Sequence, residues 1–283
     1  MFPWLIPSLT RIKGRRMATY LFIDGAYLRA RLKSISKCFT IDLEIDYNAF
    51  RSHVVPGQSA QKAFYYDCLP ARGPNEKRDD YDKRVEPEQN IFKAIKSLPG
   101  YHVFLGEAVH SGGGIVQKGV DIHIAVDMLT HAFRGVIDRA ILFAGDRDFA
   151  PLVSALVQQG VYVTVGYHPK SVAEELLDVA DERIECDTCK LWSLTTPRFR
   201  ARLPAPSIGE TSRDGLSVGD FLSLRTGTLG TEEVKLYTGS NICQLYLPRV
   251  DDYGNHRYEY IYHPDETVIM KLLDERRIVI KWN

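Results

Sequence analysis

The sequence predicts an α/β fold: a mainly parallel sheet with helices on both faces, followed by a small β-rich or α+β domain. Short apolar runs alternate with amphipathic stretches from residue 18 to about residue 187, and strands alternating with helices imply parallel pairing. The runs are β-branched or aromatic and nearly unbroken, as strands buried on both faces are. After Trp192 the alternation stops, and prolines followed by turn-separated β-prone runs replace it.

The expected strands are residues 18–23, 62–68, 101–105, 140–144 and 161–167, and the expected helices are 25–35, 87–97, 119–133, 148–159 and 171–179. Ser171-x-x-Glu174 opens the last helix as a capping box, and Gly160 closes the one before it. Residues 69–86 read as a mobile surface loop, and Ser111-Gly-Gly-Gly114 as a second flexible loop. The first domain is taken as 17–190. A linker follows over 191–215, where Pro197, Pro204 and Pro206 stand among Arg, Ser and Gly. Residues 216–283 form the small C-terminal domain, whose sequence does not show its function.

The leader, residues 1–16, is apolar and then basic, the reverse of a secretory signal. An organelle leader is one reading. The preferred one starts the protein at Met17, immediately before the first strand, with the leader poorly ordered.

The 283 residues carry no formal net charge, with 45% hydrophobic and 25% charged positions, an ordinary balance for a soluble globular protein. No global basic field points to nucleic acid, although a local basic rim would suffice for an enzyme. Five scattered cysteines suit a reducing, cytoplasmic setting. No apolar run approaches the roughly 20 residues of a membrane span.

The chemistry lies in aspartates. Asp24 follows the first strand, and Asp146 and Asp148 follow the fourth. In an open parallel sheet, ligands bind at the carboxyl ends of strands where the strand order reverses. An order of 3-2-1-4-5 would bring these acids into one crevice. Asp121 starts the third helix, where a helix cap is the plain alternative. Asp146 has a similar alternative, but two acids one residue apart cannot both be the cap. Clustered carboxylates repel one another unless a cation compensates. A hard divalent ion, Mg²⁺ or Mn²⁺, suits oxygen ligands and can act on a phosphodiester.

Three segments taken together are more specific: Phe-Ile-Asp24-Gly-Ala-Tyr, Lys118-Gly-Val-Asp121-Ile-His-Ile-Ala-Val-Asp127-Met and Ala-Gly-Asp146-Arg-Asp148-Phe-Ala-Pro-Leu-Val. With Glu175-Leu-Leu-Asp-Val-Ala-Asp181 they resemble, in order and spacing, the NYN-domain family, in particular its LabA-like branch, within the PIN-like nuclease superfamily. The resemblance implies a three-layer α/β/α (Rossmann-like) fold, an Mg²⁺ or Mn²⁺ site at Asp24, Asp121, Asp146 and Asp148, and cleavage of RNA. It also implies that these four acids are both metal ligands and catalytic residues. Many members have asparagine three residues after the first aspartate, where this chain has Tyr27, a residue that could stack on a base or simply pack.

Asp127 lies about 120° around the helix from Asp121, which makes it a secondary metal candidate. Lys118 and Arg147 are candidate phosphate contacts, with a solvated lysine and a counter-charge as the plain alternatives. The rival function is RNA binding or regulation without catalysis on the same fold. Phosphate-monoester chemistry is disfavoured because no second acid follows Asp24 in an Asp-x-Asp pattern. Residues 216–283 leave room for a protein partner or a second copy of the chain.

Other signals are weaker. Cys186-x-x-Cys189 supplies only two zinc ligands. His123, Asp127 and His131 share a helix face but read as exposed polar positions. Tyr65 and Tyr66 read as strand residues rather than a stacking platform. Neither GxGxxG nor a Walker lysine motif is present.

Overall fold

Leu21, Phe22 and Ile23 are completely buried, because their strand lies in the middle of a sheet covered on both sides. The structure, a computed structural model, describes residues 18–111, 114–212, 222–250 and 254–283; the side chains of residues 107, 109–111 and 114–118 are outside that description. The leader and Met17 also lie outside the described residues.

The first half runs β1 (Thr19–Asp24), α1 (Gly25–Phe39), α2 (Tyr47–His53), β2 (Lys62–Cys68), α3 (Arg78–Ser97), β3 (Tyr101–Ser111), β4 (Gly114–Lys118) and α4 (Val120–Phe133). It continues through β5 (Arg139–Phe143), a 3₁₀ turn (Arg147–Phe149), α5 (Ala150–Gln158), β6 (Tyr162–Tyr167), α6 (Glu174–Asp178) and β7 (Glu182–Glu185). The sheet order is β4-β3-β2-β1-β5-β6-β7. Its five expected strands stand in the expected 3-2-1-4-5 order. All neighbours pair in parallel except β3 and β4. Helices α1, α2 and α3 pack on one face through Leu28, Ile35, Phe50, Phe92 and Ile95. Helices α4, α5 and α6 cover the other through Ile124, Met128, Val153, Leu156 and Leu176.

Several local expectations change. Residues 78–86 are not loop: α3 starts at Arg78, with Asp79 and Asp80 in its first turn and Pro87 inside it. The two acids suit the positive end of the helix dipole. Arg84 holds the preceding loop by bonding both Glu76 carboxylate oxygens, at 2.7 and 2.9 Å, and the Ala71 carbonyl oxygen. The segment expected as a glycine loop at 111–114 instead joins β3 to β4, which pair antiparallel from Glu107↔Lys118 to Ser111↔Gly114; residues 112–113 are outside the described set. The expected capping box does not form. Helix α6 starts three residues later, at Glu174, because the Ser171 hydroxyl donates to Tyr27 Oη instead. Gly160 closes α5 at φ +83°, as expected.

The stretch expected as a linker contains much of α7 (Thr188–Ser193), α8 (Pro197–Arg202) and β8 (Ser207–Thr211). Its prolines and polar residues have structural partners. Pro197 begins α8, a position where the missing N–H costs nothing. Trp192 Nε1 donates to the Leu203 carbonyl and His263 Nε2 to that of Pro204. The His263 tautomer follows because its Nδ1 accepts from the Asp265 N–H. β8 joins a six-stranded antiparallel sheet with β9 (Ser223–Leu229), β10 (Glu232–Gly239), β11 (Ile242–Val250), β12 (His256–His263) and β13 (Lys281–Trp282), in the order β13-β9-β10-β11-β12-β8. Helix α9 (Glu266–Glu275) packs Ile269 and Leu272 into the same apolar cluster as Leu245, Ile261, Trp192 and Phe39. Among the described residues, no helix is long and apolar enough to cross a membrane.

Candidate functional site

β1 ends at Asp24, and its neighbour β5 ends at Phe143, two residues before Gly145-Asp146. Asp24 is the N-cap of α1 and accepts from the Tyr27 N–H at 3.0 Å. Gly25 must be small, because a Cβ there would run into the side chains of Tyr65 and Asp67. Burial raises the Asp24 carboxyl to about 6; Asp121 and then Asp67 add repulsion, while the Tyr27 N–H opposes the rise.

Asp121 sits in the first turn of α4, after Gly119 at φ +85°. Its carboxyl is also raised, first by burial and then by the charges of Asp146 and Asp148. Asp146 caps the 3₁₀ turn by accepting from the Asp148 N–H at 3.0 Å, and both acids are exposed. Asp121 therefore lies within electrostatic reach of Asp24 on one side and of Asp146 and Asp148 on the other, so that acids from three separate segments are linked through it. They do not stand as a tight cage. Among the described residues, no three His, Cys, Asp or Glu side chains are placed to hold a metal ion together.

Asp127 accepts from Tyr66 Oη at 2.8 Å, which commits it to β2. Tyr27 packs rather than projecting free. Its ring meets Phe143 edge-on with centroids 5.5 Å apart, and its hydroxyl accepts from the His168 N–H at 2.9 Å and from Ser171 Oγ at 3.3 Å. A Cβ on Gly145 would collide with that ring and with the Ser171 carbonyl oxygen. The glycine before Asp146 is thus required by the close approach of the 168–171 loop. Arg147 faces Glu175 at 3.9 Å, both well exposed. Lys118 ends β4, but its side chain is outside the described residues.

Asp67 was not anticipated. It lies in β2, paired in register one residue beyond the Asp24↔Tyr66 position, and is completely buried. It accepts from Arg29 Nε at 2.7 Å, Arg29 Nη2 at 2.5 Å, Tyr65 Oη and the Cys68 N–H. An acid at a second strand end, in Tyr-Tyr-Asp-Cys, was the available sequence signal.

Tyr65 and Tyr66 are buried strand residues. His123 is exposed as expected, whereas His131 is half-buried, and both make ring contacts. The first stacks on Phe104 at 3.8 Å and the second meets Tyr20 edge-on at 5.2 Å. Cys186 and Cys189 are buried, and burial pushes both thiols up, Cys186 to about 12, an environment that keeps them as thiols.

A three-layer parallel domain with acids converging at the carboxyl ends of its central strands is the architecture of a PIN-like nuclease domain. The NYN domain family model matches residues 18–187, more than half of the chain, and the chain belongs to that family. No curated protein matches it. Among solved structures, a protein of unknown function from Vibrio parahaemolyticus is similar at 21% identity and a TM-score of 0.44, over 62% of this chain and 96% of that one. A protein described as an oxidoreductase from Parabacteroides merdae is similar at 10% identity and a TM-score of 0.24, over 60% of this chain and 31% of that one.

Proposed function

We propose that the chain is a metal-dependent ribonuclease that hydrolyses RNA phosphodiester bonds with Mg²⁺ or Mn²⁺ at Asp24, Asp121, Asp146 and Asp148. The observation that carries this reading is the convergence of acids from three segments at the strand ends, where burial first, and then the charges of neighbouring acids, hold Asp24 and Asp121 above the ordinary aspartate range. Such a cluster favours an external cation. The donor set is all oxygen, and its open arrangement fits an ion that keeps several waters. When bound, such an ion polarises the phosphodiester and activates water.

The chain's own residues supply the negative charge and its placement. Asp146 and Asp148 are exposed and open to an RNA backbone, while Asp24 is held in orientation by the Tyr27 N–H. Gly145 and Tyr27 fix the loop beneath Asp146. Mixed RNA incubated with full-length protein and Mn²⁺ should be cut, and Asp146→Asn should slow cleavage by more than about a hundredfold. Uncut RNA, or equal cutting by the variant, would sink the proposal. The rival is RNA binding without cleavage. Its signature would be RNA affinity that survives chelation without turnover.

A further inference from the structure

Away from the acids, a cavity of about 500 Å³ opens between the 168–170 loop and the C-terminal end of α9. Its size is within the range of small-molecule sites. His168, Lys170, Thr188 and Glu275 line it. His168 is only 4% exposed, and its Nδ1 accepts from the Lys170 N–H at 3.3 Å. A backbone N–H can only donate, so the neutral ring must carry its proton on Nε2. That Nε2 is buried with no hydrogen-bond partner. The ring is neutral at ordinary pH, because burial, with Arg31 and Lys170 nearby, lowers it to about 4.

The second orphan is an acceptor. Glu275 Oε1 accepts from Thr188 Oγ1 and faces Lys170 Nζ at 3.7 Å, whereas Glu275 Oε2 is buried and unpartnered. The two residues do not satisfy each other, since His168 Nε2 stands 3.9 Å from Glu275 Oε1, too far for a hydrogen bond. Two residues that line one cavity thus each keep a buried polar atom without a partner, one a donor and the other an acceptor. Pro169 and Leu272 give it apolar surface. Arg277 is exposed at its lining, in the left-handed region at φ 56°.

We propose that this cleft binds a nucleotide. The base edge would offer an acceptor to His168 Nε2–H and a donor to Glu275 Oε2, with its ring against Pro169 and Leu272 and its phosphate toward Arg277. The nucleotide could come from a free pool or from an RNA chain. The RNA source is geometrically direct, because the same loop ends at Ala173, whose N–H donates to the Gly145 carbonyl at 3.0 Å, beside Asp146.

The test uses full-length Asp146→Asn protein with ring-labelled histidine and no divalent metal, so cleavage and binding at the acidic site are kept apart from the cleft. The four nucleoside 5′-monophosphates, the corresponding nucleosides and a short single-stranded RNA are titrated separately while the His168 ring-nitrogen signals are followed. A shift with monophosphates supports the proposal with a free nucleotide as ligand; a shift with the oligomer alone supports it with the RNA chain as ligand. Glu275→Gln should weaken binding by about tenfold. Arg277→Gly, which the left-handed backbone accepts without strain, should weaken monophosphate binding more than nucleoside binding. Unmoved His168 signals with every ligand at millimolar concentration, or unchanged affinity in both variants, overturn it.

Discussion

Asp67, in β2, and Asp24, at the end of β1, are neighbouring acids treated in opposite ways. Asp67 is fully buried, but Arg29 meets it with two hydrogen bonds, and Tyr65 and the Cys68 N–H take up further acceptor capacity. Asp24 is raised by burial and faces Asp121, with no ion pair among the described residues. One acid has its cation built in. The other has a negative neighbour, and under the proposed function its positive charge would be supplied from outside. The difference separates a carboxylate that holds the fold from one free to serve a site.

Three experiments would break or sharpen that contrast. Arg29→Met leaves Asp67 buried without its cation, and urea denaturation should show a loss of about 3–5 kcal/mol. A loss under about 1 kcal/mol would mean that Asp67 is not held as described.

The second concerns Asp24 and pH. Its folded-state value of about 6 exceeds the ordinary 3.8, so the folded protein binds this proton more tightly than the unfolded chain. The charge therefore lowers stability fully above pH 6, and the penalty fades as pH falls toward 4. Asparagine keeps the cap. Without divalent metal, Asp24→Asn should be more stable than the parent by about 3 kcal/mol near neutral pH, with the gap closing near pH 4. Added Mn²⁺ should narrow the gap at neutral pH by stabilising the parent. A gap independent of pH would remove the argument. The smallest effect is expected at Arg147→Ala, whose partner Glu175 is 3.9 Å away and exposed. Thermal unfolding should move by less than about 0.5 kcal/mol.

The parallel sheet was legible because strands buried on both faces write themselves as apolar runs, as Leu21–Ile23 does, and because acids at strand ends interrupt those runs visibly. Asp67 was hidden by the same pattern. It follows two tyrosines and precedes a cysteine, and its partner Arg29 lies on another element, a pairing that no local period encodes. Tyr27 was read as an open question between stacking and packing. Its hydroxyl partners His168 and Ser171 come from the far side of β5, so only the fold could decide. Pro87 suggested a helix start and Pro197 and Pro204 a linker, yet tertiary contacts through Arg84, Trp192 and His263 override those local preferences. The donor–acceptor pair at His168 and Glu275 likewise joins residues more than a hundred positions apart.

Trp192 stands just beyond the last residue of the family match, fully buried, with Phe39 of α1 at 5.3 Å and His263 of β12 at 6.3 Å. Its apolar cluster runs without a break from Leu28 beneath the parallel sheet to Leu272 of α9. Truncation at the family boundary would strip the wall from that cluster and leave Phe39 facing water. The cooperative unit is therefore longer than the inherited module, and the two sheets are expected to melt together.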